Sequence, residues 1–226
     1  MARDTFASQL ADLKSQVLQL GEEAGRTIED GVEALKTRDR TLAQAIIEHD
    51  SDINKTRYEI EERCYEMIAT QQPIASDLRQ IISVLLIAIE LERIADHAKN
   101  LAEIVIYMGN EPLLKPLVDI PRMADTCRTM LAQALQAFSR NDAEMGRAVC
   151  DRDDELDHLY QQIFREIMTY VVDDPRMVQR ALHLLFAAHN LERIGDRITN
   201  IGERTIYAAT GRLEELNVEK QPLKLN

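Results

Sequence analysis

The sequence predicts an all-α protein made of two tandem three-helix bundles, six long helices in all, and three observations carry that prediction. Apolar residues recur at helical spacing along almost the whole chain. Only 8 Gly and 6 Pro occur in 226 residues, too few for a protein of many tight turns. Residues 91–107, LERIADHAKNLAEIVIY, return 100 positions later as residues 191–207, LERIGDRITNIGERTIY, which marks a duplicated unit.

Each element follows from its own pattern. Leu10, Leu13, Val17, Leu20, Ala24, Ile28, Val32 and Leu35 form one apolar stripe and predict a single long first helix. Thr37-Arg38-Asp39 interrupts it, and a second stripe runs through Ile46, Ile53, Ile60 and Met67 until Pro73. A third helix follows, with Asp77 near its start, Ile82, Leu85 and Ile89 facing inward, and Gly109 as its stop. At the α-helical rise each of these helices is about 45 Å long. Residues 110–121, with Pro112, Pro116 and Pro121, read as a loop. Beyond it the plan repeats, with helices from Arg122 to Arg140, Asp142 to Val172 and Pro175 to Gly211. The middle helices match at an offset of 103, pairing Glu48 to Asn54 with Asp151 to Asp157. The chain thus divides into a first unit 1–111, a Pro-rich linker 112–121, a second unit 122–211 and a frayed tail 212–226.

Composition removes several function classes. No opening stretch combines a basic start, an apolar run and a small-residue cleavage site, and the longest apolar run, Val84 to Ile89, is too short to span a bilayer. The expectation is a cytoplasmic protein that meets membranes only through partners. A formal net charge of −12 argues against nucleic acid as the main partner and suits cations or a basic protein surface. Cys64, Cys127 and Cys150 are odd in number and too far apart for a Cys-x-x-Cys motif, so they read as reduced core thiols.

The residues with chemical potential are acids. Successive helical residues turn by about 100°, so Glu92, Asp96, Asn100 and Glu103 share one face of the third helix, and Glu192, Asp196, Asn200 and Glu203 share one face of the sixth. These faces continue the apolar line through Leu85 and Ile89, a place where core residues are expected. On the middle helices Asp50 and Asp153 each interrupt an otherwise apolar stripe. Two half-buried carboxylates at 4 Å repel by about 4 kcal/mol at an effective dielectric near 20, so the clusters need a neutralising partner. Hard or iron-type metal ions with oxygen ligands would serve. Salt bridges from Arg93, Lys99 and Arg193, with Arg57 or Arg79 from elsewhere, would serve equally, and spacing alone leaves both open.

His49 and His97 stand beside these acids and could complete a metal site; partial exposure is the plainer reading. His158 follows Glu155 by three, a single Glu-x-x-His where a di-iron oxidase needs two. No phosphate loop, nucleophile elbow or His-Glu-x-x-His motif is present, so the expectation is a protein that catalyses nothing. A metal-dependent helical enzyme or a metal store is the alternative.

The paired Leu-Glu-Arg-Ile-(Ala/Gly)-Asp segments, each followed by Asn and Glu on the same face, make the chain resemble the PhoU family. The resemblance extends to the stretches at Glu48 to Asn54 and Asp151 to Asp157 and to Pro73 and Asp77-Leu78-Arg79. It implies two three-helix bundles related by pseudo-twofold symmetry, with metal ions at Glu92 and Asp96 and at Glu192 and Asp196. Asp50 and Asp153 would be supporting ligands. Asn54 opposite Asp157 and Glu48 opposite Asp151 depart from strict symmetry and leave room for unequal metal numbers. The resemblance further implies a negative regulator of the phosphate regulon and of phosphate uptake. Its partners would be the ATPase subunit of a phosphate ABC transporter and a sensor histidine kinase, bound from a homodimer.

Overall fold

The computed structural model describes residues 2–216, and among them the backbone is helical almost throughout, with no β-strand. The first repeat comprises α1 (Ala2–Thr37), α2 (Arg40–Gln71) and α3 (Ala75–Met108). The second comprises α4 (Asp119–Arg140), α5 (Ala143–Cys150), α6 (Asp153–Asp173) and α7 (Val178–Thr210), with a 3-10 turn, Pro175–Met177, ahead of α7. The six-rod plan holds, and residues 217–226 of the expected tail lie outside the described residues.

Local chemistry sets the helix ends. The Asp39 carboxylate accepts hydrogen bonds from the Thr41 and Leu42 backbone N–H groups at 2.8 and 3.0 Å and starts α2. Asp142 accepts from Met145 N–H at 3.0 Å and starts α5. Gly109 and Gly211 close α3 and α7 at φ of 59° and 75°, where a side chain would be strained.

Two boundaries differ from the sequence reading. The helix expected from Arg122 begins at Asp119, and Pro121 lies in its first turn, where a missing N–H costs nothing. The helix expected from Asp142 to Val172 is two segments, parted by a shallow turn at Asp151 and Arg152, which keep right-handed φ and ψ. Asp153, Asp154 and Glu155 then supply negative charge to the first turn of α6, where the helix dipole favours it.

Burial follows the stripes on α1 and α2: Leu13, Val17, Leu20, Ala24, Ile28 and Leu35, and then Ile46, Ile53, Ile60 and Met67, are all buried. On α3 the phase is corrected by one position. Ile81, Val84, Ala88 and Leu91 point into the core, while Ile82, Leu85 and Ile89 are half-buried. α3 packs against α1, α2 and α7 together, so it is apolar around most of its circumference and its periodicity cannot set an inward face.

α3 and α7 cross antiparallel at the centre of the molecule. Arg197 Nη1 stands 3.6 Å from Glu90 Oε2, and His97 Nδ1 stands 3.0 Å from Asn190 Oδ1. Residues 90 and 190, and 97 and 197, are repeat equivalents, so the two contacts are images of one another across a pseudo-twofold. One contiguous apolar core runs from Leu13 on α1 to Ile201 on α7. No helix among the described residues is long and apolar enough to cross a membrane.

Candidate functional site

In the first repeat a lysine gathers the acids. Lys99 Nζ donates to Asp96 Oδ1 on its own helix at 2.7 Å and to Asp50 Oδ2 on α2 at 3.0 Å. Burial alone would lower the ammonium's pKa, but hydrogen bonds and charge from Asp96 and Asp50 hold it above its ordinary value. Asn54 donates to the same Asp50 oxygen at 3.1 Å. Glu92 is held differently: burial first, then the Asp96 charge, raise its carboxyl pKa against the pull of Arg57 and Arg93. Arg57 itself pairs with Glu61 and lies 3.7 Å from the Tyr58 ring centroid. Arg93 is paired with Glu90 at 3.9 Å, so the i, i+3 partner of Asp96 is Lys99.

The second repeat uses an arginine. Arg193 Nε donates to Glu192 Oε2 at 2.8 Å, and its Nη1 stands 3.0 Å from Asp196 Oδ2. His189 Nδ1 lies 3.7 Å from Glu192, and its ring tilts against Tyr160 at 6.1 Å. Asp153 is buried, whereas Asp50 is only half-buried, because α6 presses onto α7 where the latter carries Gly195. A methyl group on Gly195 would meet Asp153 Oδ1 at 2.7 Å and Leu156 Cδ1 at 2.5 Å. The equivalent residue in the first repeat is Ala95. Glu192 is likewise buried, at 5% exposure.

The remaining candidate residues go elsewhere. Asn100 donates to Asn190 Oδ1 at 3.0 Å and so belongs to the seam between the repeats. Glu103 lines a groove of about 490 Å³ with Asn100, Tyr107, His183 and Phe186. Glu203 Oε1 accepts the Leu216 backbone N–H at 2.9 Å, and Asn200 is half-buried. His49 pairs with Asp52 at 3.4 Å, and His97, its pKa lowered mainly by burial, bonds Asn190. Among the described residues no three His, Cys, Asp or Glu side chains converge as they would around a metal. All three thiols are free and buried; burial pushes Cys64 and Cys150 up to about 12, which makes them inert.

Some residues that differ between the repeats were not singled out by sequence reasoning. Gly195, Thr199 and Tyr160 were readable only by laying the duplicated helices over one another and asking where they disagree.

Comparison with known proteins adds a family. The model of the PhoU domain matches twice, over residues 17–105 and 120–205. The phosphate-specific transport system accessory protein PhoU homolog of Clostridium acetobutylicum is 37% identical over 218 residues, covering 96% of this chain and all of the relative. The protein of the same name in Aquifex aeolicus is 38% identical, covering 91% and 93%. Among solved structures, PhoU from Pseudomonas aeruginosa superimposes with a TM-score of 0.87 at 37% identity, covering 92% of this chain and 100% of that one. The phosphate transport system regulatory protein PhoU from Streptococcus pneumoniae gives 0.86 at 30% identity, covering 93% and 99%.

Proposed function

Because the chain belongs to the PhoU domain family, we propose that it is a negative regulator of phosphate uptake and of the phosphate regulon. The carrying observation is that both repeats match, and that relatives covered over nearly their full length are named as accessory proteins of phosphate-specific transport. In this reading the protein is cytoplasmic and acts as a homodimeric adaptor, contacting the ATPase subunit of a phosphate ABC transporter and a sensor histidine kinase. Long helical faces with a strongly acidic balance support a protein that works by presenting surfaces rather than by turnover.

Metal belongs to this proposal at the acidic faces of both repeats, most fully furnished with acids at the second. Asp153, Glu192 and Asp196, with Asp157 nearby, are hard oxygen donors of the kind divalent and iron-type ions take. Arg193 neutralises two of them, the buried Glu192 and the largely buried Asp196, and also feels the charge of Asp157 on α6. A metal ion there would have to displace Arg193 and draw these acids together, and its role would be to tie α6 to α7. In the first repeat a metal ion would have to displace Lys99 from between Asp50 and Asp96.

The regulatory reading is tested by deleting the gene and following a phosphate-starvation reporter in phosphate-rich medium. Derepression that the restored gene reverses is expected. A reporter that stays silent in the deletion strain defeats the proposal.

A further inference from the structure

Between the C-terminal half of α3 and the N-terminal half of α7 lies the groove of about 490 Å³ that Glu103 lines. Glu103 carries the only formal charge among the lining residues, and no lysine, arginine or histidine among the described residues pairs with its carboxylate. Two aromatic rings of the lining stand in solvent: Tyr107 is 75% exposed and Phe186 54%. The buried Nδ1 of His183 has no hydrogen-bond partner. A half-buried carboxylate, an orphaned ring nitrogen and exposed aromatics together suit a ligand that brings hydrogen-bonding groups, positive charge and apolar surface.

The chain itself shows what such a place receives. At the offset of 100, Glu103 corresponds to Glu203 and Gln179 to Arg79. In the second repeat both are met by the segment that follows α7. Glu203 Oε1 accepts the Leu216 backbone N–H at 2.9 Å, and a methyl group on Gly211 would meet Arg79 Cζ at 3.2 Å. Residues 212–216 are not helical, and Arg147 on α5 pins them through Glu214 at 2.7 and 3.0 Å. In the first repeat the residues after α3 are instead drawn away toward α4. Arg180 holds that linker by the Pro112 carbonyl at 2.9 Å and by the Leu113 carbonyl, and Arg38 holds it by the Glu111 carbonyl at 3.3 Å. Charge separates the two places further. Where the first-repeat groove has Gln179 and Ile104, the second repeat has Arg79 and Arg204, so the first-repeat groove is the one that suits a cation.

We propose that the groove between α3 and α7 docks a basic, non-helical segment of a partner protein, with a backbone N–H on Glu103 and an Arg or Lys side chain against the rings of Tyr107 and Phe186. The proposal deepens the adaptor reading above and rests on it for its purpose, but peptide binding is read directly and needs no phosphate reporter. A groove that binds nothing, in a protein whose deletion still derepresses the reporter, would remove the docking site and leave the adaptor.

The test selects phage-displayed random dodecapeptides on the immobilised full-length chain and measures the selected peptides by fluorescence anisotropy, with circular dichroism confirming that each variant is folded. The selected peptides should be rich in Arg or Lys alongside apolar residues. Glu103→Gln and Phe186→Ser should each weaken their binding about tenfold or more, while Glu66→Gln, at an exposed acid near the C-terminal end of α2, should leave it unchanged. Selection of no peptide, of acidic peptides, or of peptides that bind Glu103→Gln as tightly as wild type overturns the proposal. So does equal weakening by Glu66→Gln, the mark of general charge attraction. A dimer in sedimentation that dissociates on Phe186→Ser would give the groove to a second copy and overturn it as well.

Discussion

At Glu92, burial and the charge of Asp96 both favour the protonated acid, so its folded pKa lies above the unfolded one. The sign of the linkage follows: Glu92 supports folding fully below the unfolded value near 4.5 and loses that support as pH rises through the folded pKa. At neutral pH its charge is a cost. Glu92→Gln should therefore raise the melting temperature at pH 7 in EDTA by about 1–2 °C, the screened share of what 1 kcal/mol moves in a chain of this size. The gain should vanish by pH 4, and a lower melting temperature at pH 7 would contradict this account. At the residue scale the sequence identified the acids and named Lys99 and Arg193 among their possible partners. Spacing could not tell that Lys99 reaches Asp50, because that contact crosses from α3 to α2. Nor could it tell that Asn100 faces Asn190, ninety positions away in the chain.

Helix α7 meets α6 through Gly195, where the absence of a side chain admits Asp153 and Leu156 to the helix surface. Gly195→Ala should destabilise the protein by about 1–3 kcal/mol through overpacking, even though alanine is the better helix former. Chemical denaturation measures it, and unchanged stability would mean that α6 and α7 can move apart freely. The same close approach recurs where a methyl on Gly202 would come within 2.9 Å of the Gly146 carbonyl oxygen on α5. Element number and type were legible because each rod carries a long apolar stripe ended by Pro73, Gly109 or Gly211. The break at Asp151 and Arg152 was not, since no Gly or Pro marks it and the apolar stripe runs through from Val149 to Leu156.

Across the whole molecule, α3 and α7 bury their faces against each other as well as against their own repeats, and a single apolar core spans both. Each Leu, Ile or Val in it contributes about 1.5–3 kcal/mol on burial, and separating the repeats would expose those on the shared face. The full chain should unfold in one transition, with calorimetric and van't Hoff enthalpies equal. Two resolved transitions would show the repeats to be independent domains.

By itself the sequence determined the helical class, the duplication and the family, because periodicity and repetition are properties of a linear string. Only the tertiary structure decided which flank of α3 is inward, which cation each carboxylate meets and that the repeats share one core. Those outcomes depend on packing between residues distant in the chain, and the duplicated helix shows it plainly. The same Glu and Asp recur in each copy, yet Lys99 joins Asp96 to Asp50 in one repeat and Arg193 pairs with Glu192 and Asp196 in the other.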